Sequence, residues 1–193
     1  MPWVWAAVAY ILGSIPFGLI IARLRGVNLR GQGSGNIGAT NALRVMGKKA
    51  GAITLLGDLL KGALAVWLAL YFSGREAGFI AAAAAVLGHD FSIFAGFKGG
   101  KGVATSFGVL LALEPVLALI GFGVWMLAVI LSRLSSLGAL VSFGLLPLWC
   151  FILKGGDRTL LALAFFLTAL IFIKHRENIG RLARGKESRV GKK

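Results

Sequence analysis

The chain has 193 residues, of which 58% are hydrophobic and 15% are charged, and 21 Lys and Arg against 7 Asp and Glu give a net charge of +14. Soluble domains carry roughly 25% charged residues, so a chain with a mean hydropathy of +0.85 is not a soluble globular protein. The apolar content also excludes a disordered chain, and the polar sequence is too sparse for the basic surface of a nucleic-acid binder. The composition predicts an all-α integral membrane protein.

Seven apolar stretches are separated by polar or basic residues. A transmembrane helix needs about 20 apolar residues, and the fourth stretch is too short to cross alone because its residues rise roughly 16 Å against a core of about 30 Å. The first stretch lacks the basic front end of a signal peptide, and Pro16 predicts a bend in it. The predicted helices cover residues 3–22, 51–72, 79–95, 103–113, 116–131, 137–153 and 159–173, and a cytoplasmic tail with a short helix starts at 174.

The distribution of Lys and Arg between the two sides of the membrane indicates whether the fourth and fifth stretches form two helices or one. If Glu114 and Pro115 form a turn, all but four of the 21 cations, Lys192 and Lys193 included, fall on one side of the membrane, as cytoplasmic loops require. Fusing residues 103–131 into one helix divides the cations evenly, and the proline disfavours such a helix. We therefore predict one domain with seven transmembrane helices, the N-terminus outside and the C-terminus cytoplasmic.

The first predicted cytoplasmic loop, residues 31–44 (GQGSGNIGATNALR), is rich in glycine and ends with a cation. Glycine allows successive backbone amides to converge on an oxyanion. The loop is therefore either an anion cradle, with Arg44 in reach of the anion, or a flexible connection.

The second glycine-rich loop precedes the short fourth helix and contains Lys98 and Lys101 among four glycines. Backbone amides, two ammonium groups and a helix N-terminus each favour a phosphate group. The loop is not a Walker motif, because Ala95 and Gly102 stand where that motif has glycine and Ser or Thr. We predict a phosphate site that includes Gly99 and Gly100.

Two groups of polar residues interrupt the apolar helices. Asp58 and Lys61 are three residues apart in the second helix and can pair on one face. A charge inside a span costs about 2.5 to 3.5 kcal/mol, so this pair is either a packing salt bridge or part of a functional site. His89, at the end of the third helix, is expected to cap or hydrogen-bond there. The histidines and carboxylates show no metal-ligand spacing, so we expect no metal and no cofactor.

The last polar groups lie at the start of the sixth helix and at the start of the tail. Ser136 lies near a helix start, where serine is usually an N-cap. His175 and Asn178 are three residues apart on one helix face, among basic residues that also suit anionic lipid. By the predicted topology the two glycine-rich loops, Ser136, His175 and Asn178 lie at the cytoplasmic surface, which suggests a phosphorylated, partly lipidic substrate.

Five segments carry a family resemblance: GSIPFG (13–18), SGNIGATN (34–41), GDLLKG (57–62), GFKGGKGVAT (96–105) and HRENIGRL (175–182). In this order they resemble the bacterial acyl-phosphate:glycerol-3-phosphate acyltransferases. The resemblance implies a multi-pass inner-membrane enzyme that moves a fatty acyl group from acyl phosphate to the sn-1 hydroxyl of glycerol 3-phosphate. The products would be lysophosphatidic acid and phosphate, in the first step of phospholipid synthesis. We expect a monomer in contact with membrane lipid and no nucleic acid.

The resemblance also implies roles for individual residues. Ser34, Arg44 and Lys101 would hold substrate phosphate, with Asn41 and Lys98 supporting the same pocket. Ser136, His175 and Asn178 would lie near the reacting carbonyl and hydroxyl groups. Ser92 replaces a frequent proline of the family, and Ala139 replaces a frequent serine. The other supporting residues are Asp58, Lys61, Gly35 and Gly38.

An acyl phosphate is already activated, so the enzyme must mainly bring two phosphorylated substrates together and stabilise developing charge. The hydroxyl proton goes either to His175 as a general base or to the phosphate of the substrate, while His175 and Asn178 orient the groups. The second route is favoured, because no carboxylate is placed to orient the imidazole. A transporter for a phosphorylated metabolite is the alternative function, and a lipid-binding scaffold is a third. The one-sided placement of the polar motifs argues against a transporter.

Overall fold

A computed structural model describes residues 2–191, which are mostly helical. Lys192 and Lys193, assigned above to the cytoplasmic tail, lie outside the described residues. The chain divides into two compact units, one ending at Leu113 and the other beginning at Glu114. The helices are α1 (Pro2–Ser14), α2 (Phe17–Leu24), α3 (Ala39–Met46), α4 (Lys48–Asp90), α5 (Val103–Leu113), α6 (Pro115–Ser132), α7 (Ser135–Lys154), α8 (Arg158–Lys174) and α9 (Arg176–Ala183).

Helix α1 packs against α4 through glycines. A methyl group at Gly13 would overlap the carbonyl oxygen of Ala85, and one at Gly88 would overlap that of Tyr10. Small residues let helices approach this closely within a membrane, where van der Waals packing drives association. Helix α1 stops before Pro16 and α2 resumes after it, so the helix is interrupted at this proline, and the predicted bend stays a prediction.

Helix α4 is a hairpin. Gly74 has φ 75° and ψ −169°, which no helix interior adopts. Lys61 Nζ and His89 Nδ1 are 2.9 Å apart, although 28 residues of straight helix would separate them by about 42 Å. The chain therefore reverses at Gly74 and forms two antiparallel arms, residues 48–73 and 75–90. These arms correspond to the predicted second and third helices.

The second unit begins at the predicted turn, because Glu114 is non-helical and α6 starts at Pro115. Side chains join successive helices there. Ser142 Oγ on α7 donates to the Gly121 carbonyl of α6 at 2.7 Å, and Thr168 Oγ1 on α8 donates to the Phe143 carbonyl at 2.7 Å. The short helix expected in the tail is present as α9.

Four helical segments within residues 2–191 are long and apolar enough to cross a membrane: Trp3–Leu24, Lys48–Ala95, Pro115–Ser132 and Ser135–Lys154. The second of these contains the hairpin. Helices α8 and α9 pass the same test together with a bend of 62° between them. The all-helical architecture is confirmed, whereas the seven-span count, the orientation of the termini and the single domain stay predictions.

Candidate active site

Asn41 organises the first glycine-rich loop. Its buried side-chain amide Nδ2 donates to the carbonyl oxygens of Leu29 (3.2 Å), Gln32 (3.1 Å) and Asn36 (2.8 Å). Its Oδ1 accepts from the backbone N–H of Ser34 at 2.9 Å. One buried amide thus satisfies backbone groups on both sides of the loop, which leaves the Ser34 side chain exposed.

The loop is shorter than predicted, because residues 39–46 form α3. No glycine occurs between Ala39 and Met46, and alanine, leucine and arginine favour a helix. Arg44 therefore projects from a helix and is half-buried. Gly35 has φ 70°, a conformation that glycine adopts at little cost. Gly38 is the N-cap residue of α3.

Arg30 connects the two glycine-rich loops. Its Nη2 donates to the Ala95 carbonyl at 2.8 Å and to the Lys98 carbonyl at 2.9 Å. The structure therefore brings the loop that carries Ser34 beside the loop that carries Lys98, as a phosphate site built from both would require. Sequence reasoning counted Arg30 only as a cytoplasmic cation, since main-chain acceptors leave no side-chain pattern.

The lysine loop, residues 98–102, is seated on the end of α4. The backbone N–H groups of Gly99 and Gly100 donate to the carbonyl oxygens of Asp90 (3.2 Å) and His89 (3.1 Å). Lys98 is exposed and Lys101 is half-buried. Because both glycine amides already have acceptors, the phosphate role expected for Gly99 and Gly100 stays a prediction, and the loop offers its lysine side chains instead.

The predicted pair of Asp58 and Lys61 is present and almost fully buried. Lys61 Nζ lies 2.8 Å from Asp58 Oδ1. It also donates to the Ile15 carbonyl at 2.7 Å, at the break between α1 and α2, and lies 2.9 Å from His89 Nδ1. The salt bridge thus packs both arms of α4 against the break, and His89 hydrogen-bonds at the end of its helix as expected.

Glu187 is the centre of a polar cluster in the second unit. Its Oε1 accepts from Ser136 Oγ at 3.0 Å and from Asn178 Nδ2 at 2.6 Å, and its Oε2 accepts from Arg181 Nε at 2.7 Å. Burial opposes ionisation, but the hydrogen bonds from these three donors outweigh it and hold the pKa of Glu187 below its ordinary value. Two of the three donors are residues that the resemblance placed near the reaction.

The sequence did not reveal the role of Glu187, and its N-cap interpretation of Ser136 disagrees with the structure. Helix α7 begins after Leu134, with no side-chain cap. The N-cap interpretation of Ser136 is therefore wrong, because its hydroxyl donates to Glu187 in the tail. The available signal was the one carboxylate that follows Asn178 in a tail rich in cations, nine residues further along the chain.

His175 occupies the junction of α8 and α9 and is buried. Its Nδ1 lies 2.8 Å from the Ile171 carbonyl oxygen. A carbonyl only accepts, so the neutral ring carries its hydrogen on Nδ1, and Nε2 is then an acceptor. Asn178 follows three residues later in α9 and is also buried, and the shared face of the two side chains stays a prediction.

The two departures from the family pattern both lie in packed positions. Ser92 Oγ donates to the Ser14 carbonyl, which ties the end of α1 to the segment after α4. Ala139 is buried within α7. Within residues 2–191 no three His, Cys, Asp or Glu side chains are grouped to hold a metal ion. The expectation of no metal and no cofactor stays a prediction.

Comparison with known proteins identifies the family. A family model described as glycerol-3-phosphate acyltransferase matches residues 3–185. The chain belongs to the glycerol-3-phosphate acyltransferase family. The matched range includes Ser34, Arg44, Lys101 and His175 and ends just before Glu187.

The sequence similarity between this acyltransferase and its relatives extends over almost the whole chain. The glycerol-3-phosphate acyltransferase of Rhizobium etli is 46% identical over 189 residues, which cover 97% of this chain and 91% of the relative. Among solved structures, the chain is similar to the glycerol 3-phosphate form of PlsY, an integral membrane glycerol 3-phosphate acyltransferase. The sequence identity is 42% and the TM-score is 0.94, and the match covers 98% of this chain and 96% of the PlsY chain. Its lysophosphatidic acid form is 41% identical with a TM-score of 0.90 and covers 97% and 94%. The predicted all-helical integral membrane fold is confirmed.

Proposed function

We propose that this protein transfers a fatty acyl group from acyl phosphate to the sn-1 hydroxyl of glycerol 3-phosphate, and thereby starts phospholipid synthesis. The likeness to PlsY in its glycerol 3-phosphate and lysophosphatidic acid forms supports this function most directly. Those two ligands are the acceptor and the product of one acyl transfer. The acceptor hydroxyl oxygen attacks the acyl carbon, the bond from that carbon to the phosphate oxygen breaks, and lysophosphatidic acid and phosphate leave.

The positive charges of the first unit match a donor that carries a phosphate group, such as acyl phosphate. Both substrates are then phosphorylated, and the cations Arg44, Lys98 and Lys101 lie on or beside the two loops that Arg30 joins. Fixed cations lower the repulsion between two phosphates and stabilise the leaving group. Ser34, on the loop ordered by Asn41, adds a hydroxyl donor. We assign phosphate binding to these side chains, with Gly35 and Gly38 shaping the loop.

The second unit supplies the groups for the acyl transfer. Glu187 orients Ser136 and Asn178, and the hydroxyl and amide groups of these two residues serve the carbonyl and the hydroxyl. His175 presents its Nε2 edge to the reacting groups, since Nδ1 is directed at the Ile171 carbonyl. The attacking hydroxyl gives its proton to the phosphate of the substrate, while His175 and Asn178 orient the reacting groups.

An apolar groove of the first unit fits the acyl chain. Its volume is about 630 Å³, and its lining includes Leu12, Leu60, Leu64, Trp67 and Leu111. This volume lies within the range of about 300 to 1,000 Å³ that is usual for ligand-binding cavities. Filling the groove with Leu64→Trp should raise the KM for long-chain acyl phosphates more than for short-chain ones.

The decisive experiment uses purified protein in sealed liposomes with glycerol 3-phosphate and palmitoyl phosphate. Phosphate and lysophosphatidic acid should form in equal amounts, and palmitoyl-coenzyme A should not replace the donor. Equal use of both donors would overturn the acyl-phosphate assignment. Counterflow of labelled glycerol 3-phosphate without any donor would instead identify a transporter.

Variants extend the assay to the phosphate site. Lys101→Ala should lower kcat/KM by about tenfold or more, because a charge-assisted contact contributes about 1.5 to 3 kcal/mol. Lys49→Ala is the matched control, since Lys49 is exposed at the start of α4 and should retain the activity. Equal activity of both variants would exclude Lys101 from the site.

We further propose a monomer in the bacterial inner membrane, with seven spans, the N-terminus outside and the active site at the cytoplasmic face. The distribution of cations supports this topology. In a Cys150→Ser background, Lys186→Cys should react with an impermeant maleimide only after cells are lysed. Arg158→Cys, on the other predicted side, should react in intact spheroplasts, and the reverse pattern would invert the topology.

A further inference from the structure

The ammonium group of Lys61 determines the tautomer of His89. A lysine ammonium has three hydrogens and no acceptor. Its Nζ has three partners: Asp58 Oδ1 at 2.8 Å, the Ile15 carbonyl at 2.7 Å and His89 Nδ1 at 2.9 Å. His89 Nδ1 also lies 3.6 Å from Asp58 Oδ1, which is farther away than Nζ. The ammonium group offers Nδ1 only hydrogens, so Nδ1 must carry a lone pair toward Lys61, and the hydrogen of the neutral ring resides on Nε2.

The Nε2 edge of His89 is directed at the lysine loop. A Cβ built on Gly100 would overlap Nε2 and would lie 2.8 Å from Cε1 and 3.1 Å from Cδ2. The imidazole therefore occupies the volume that a side chain at position 100 would need. Gly100 N–H also donates to the His89 carbonyl, so one residue supports the loop through both its ring and its backbone.

We propose that His89, held as the Nε2–H tautomer by Asp58 and Lys61, is a positioning residue that sets the location of Lys98 and Lys101 for substrate phosphate. This proposal deepens the function proposed above and rests on it. His89 acts through the loop and touches no substrate. The buried salt bridge thus has a use beyond packing, since it fixes one imidazole orientation under the phosphate-binding segment.

Kinetics separate this role from a purely structural one. His89→Leu removes both ring nitrogens, and we expect the KM of at least one phosphorylated substrate to rise about tenfold while kcat changes less than about threefold. His89→Gln keeps an acceptor for Lys61 and a donor toward the loop, so both constants should stay near the wild-type values. A fall in kcat alone, or a Leu variant that matches wild type, would overturn the proposal.

A double-mutant cycle tests the contact itself. Gly100→Ala should raise the same KM in the wild-type background but have little further effect in His89→Ala, where the space is open, because residues in contact are not additive. Gly123→Ala is the matched control, since nothing lies within 4 Å of a Cβ at that position. Additive effects of the two changes would exclude the contact.

A spectroscopic readout keeps the test independent of activity. The chain has 2 histidines, so the His175→Gln variant with labelled imidazole nitrogens reports His89 alone. Nitrogen NMR in detergent should show a neutral ring protonated on Nε2, and Lys61→Met should abolish this preference. A ring protonated on Nδ1 would overturn the inference even in an active enzyme. Failure of the wild type to acylate glycerol 3-phosphate would overturn the proposed function instead.

Discussion

The two units each contain a buried polar cluster, and the clusters have opposite charges at their centres. In the first unit the cation of Lys61 forms an ion pair with Asp58 and hydrogen-bonds to a main-chain carbonyl and to His89. In the second unit the anion of Glu187 accepts from Ser136, Asn178 and Arg181. The first centre is therefore a hydrogen-bond donor and the second an acceptor.

The two clusters differ in how deeply the central residue is buried, and therefore in what its removal costs. Lys61 is 4% exposed and lies among apolar helices, so its loss leaves the buried carboxylate of Asp58 with only the imidazole of His89 beside it, at 3.6 Å. The side chain of Glu187 is 9% exposed at the end of the chain, and Arg181 is only half-buried there. We therefore expect loss of the first centre to cost more stability than loss of the second, whereas loss of the second should directly disturb Ser136 and Asn178.

Breaking the first cluster should have the largest effect on stability. Lys61→Met should lower the free energy of unfolding by about 3 to 5 kcal/mol, because an unpaired buried charge remains. Thermal unfolding in detergent measures this loss. The double variant Asp58→Asn with Lys61→Met removes the stranded charge and should recover part of it. If the double variant is no more stable than Lys61→Met, the charge is not the cause.

Breaking the second cluster should affect activity more than stability. Glu187→Ala should lower the free energy of unfolding by about 1 to 3 kcal/mol, the cost of leaving buried donors without their acceptor. It should also lower kcat by at least about tenfold, since Ser136 and Asn178 lose their common acceptor. Ser188→Ala, at the exposed neighbouring position, is the control. Full activity of Glu187→Ala would show that the cluster has no role in the reaction.

The sequence predicted local pairs and missed the distant ones. Asp58 with Lys61 and His175 with Asn178 were visible because three residues return a helix to the same face. Ser136 and Glu187 are 51 residues apart, and Arg30 binds carbonyl oxygens that every residue possesses. Helix α3 was missed because the preceding glycines dominated the composition of its segment. Helix α5 was predicted at its observed bounds, since apolar content and Pro115 define both of its ends.

The acid dependence of stability should test whether Glu187 is ionised at the centre of the second cluster. Hydrogen bonds hold the pKa of Glu187 below its ordinary value, so its contribution is complete above the unfolded-state pKa of about 4.3 and is lost as the pH falls through the folded-state value. The difference in melting temperature between wild type and Glu187→Gln should therefore be largest near neutral pH and shrink in acid. A difference that grows in acid would contradict the lowered pKa.

Removing a single peripheral donor should have the smallest effect. Ser136→Ala deletes one of three hydrogen bonds to Glu187 and should lower the free energy of unfolding by about 0.5 to 1.5 kcal/mol, because Asn178 and Arg181 still hold the carboxylate. With one donor fewer, the pKa of Glu187 should rise toward its ordinary value, so the acid transition should begin at a higher pH than in wild type. Ser136→Thr, which keeps a hydroxyl, is the control for the acid transition. If Ser136→Ala destabilises the protein as much as Glu187→Ala, then Ser136 rather than the carboxylate is the centre of the cluster.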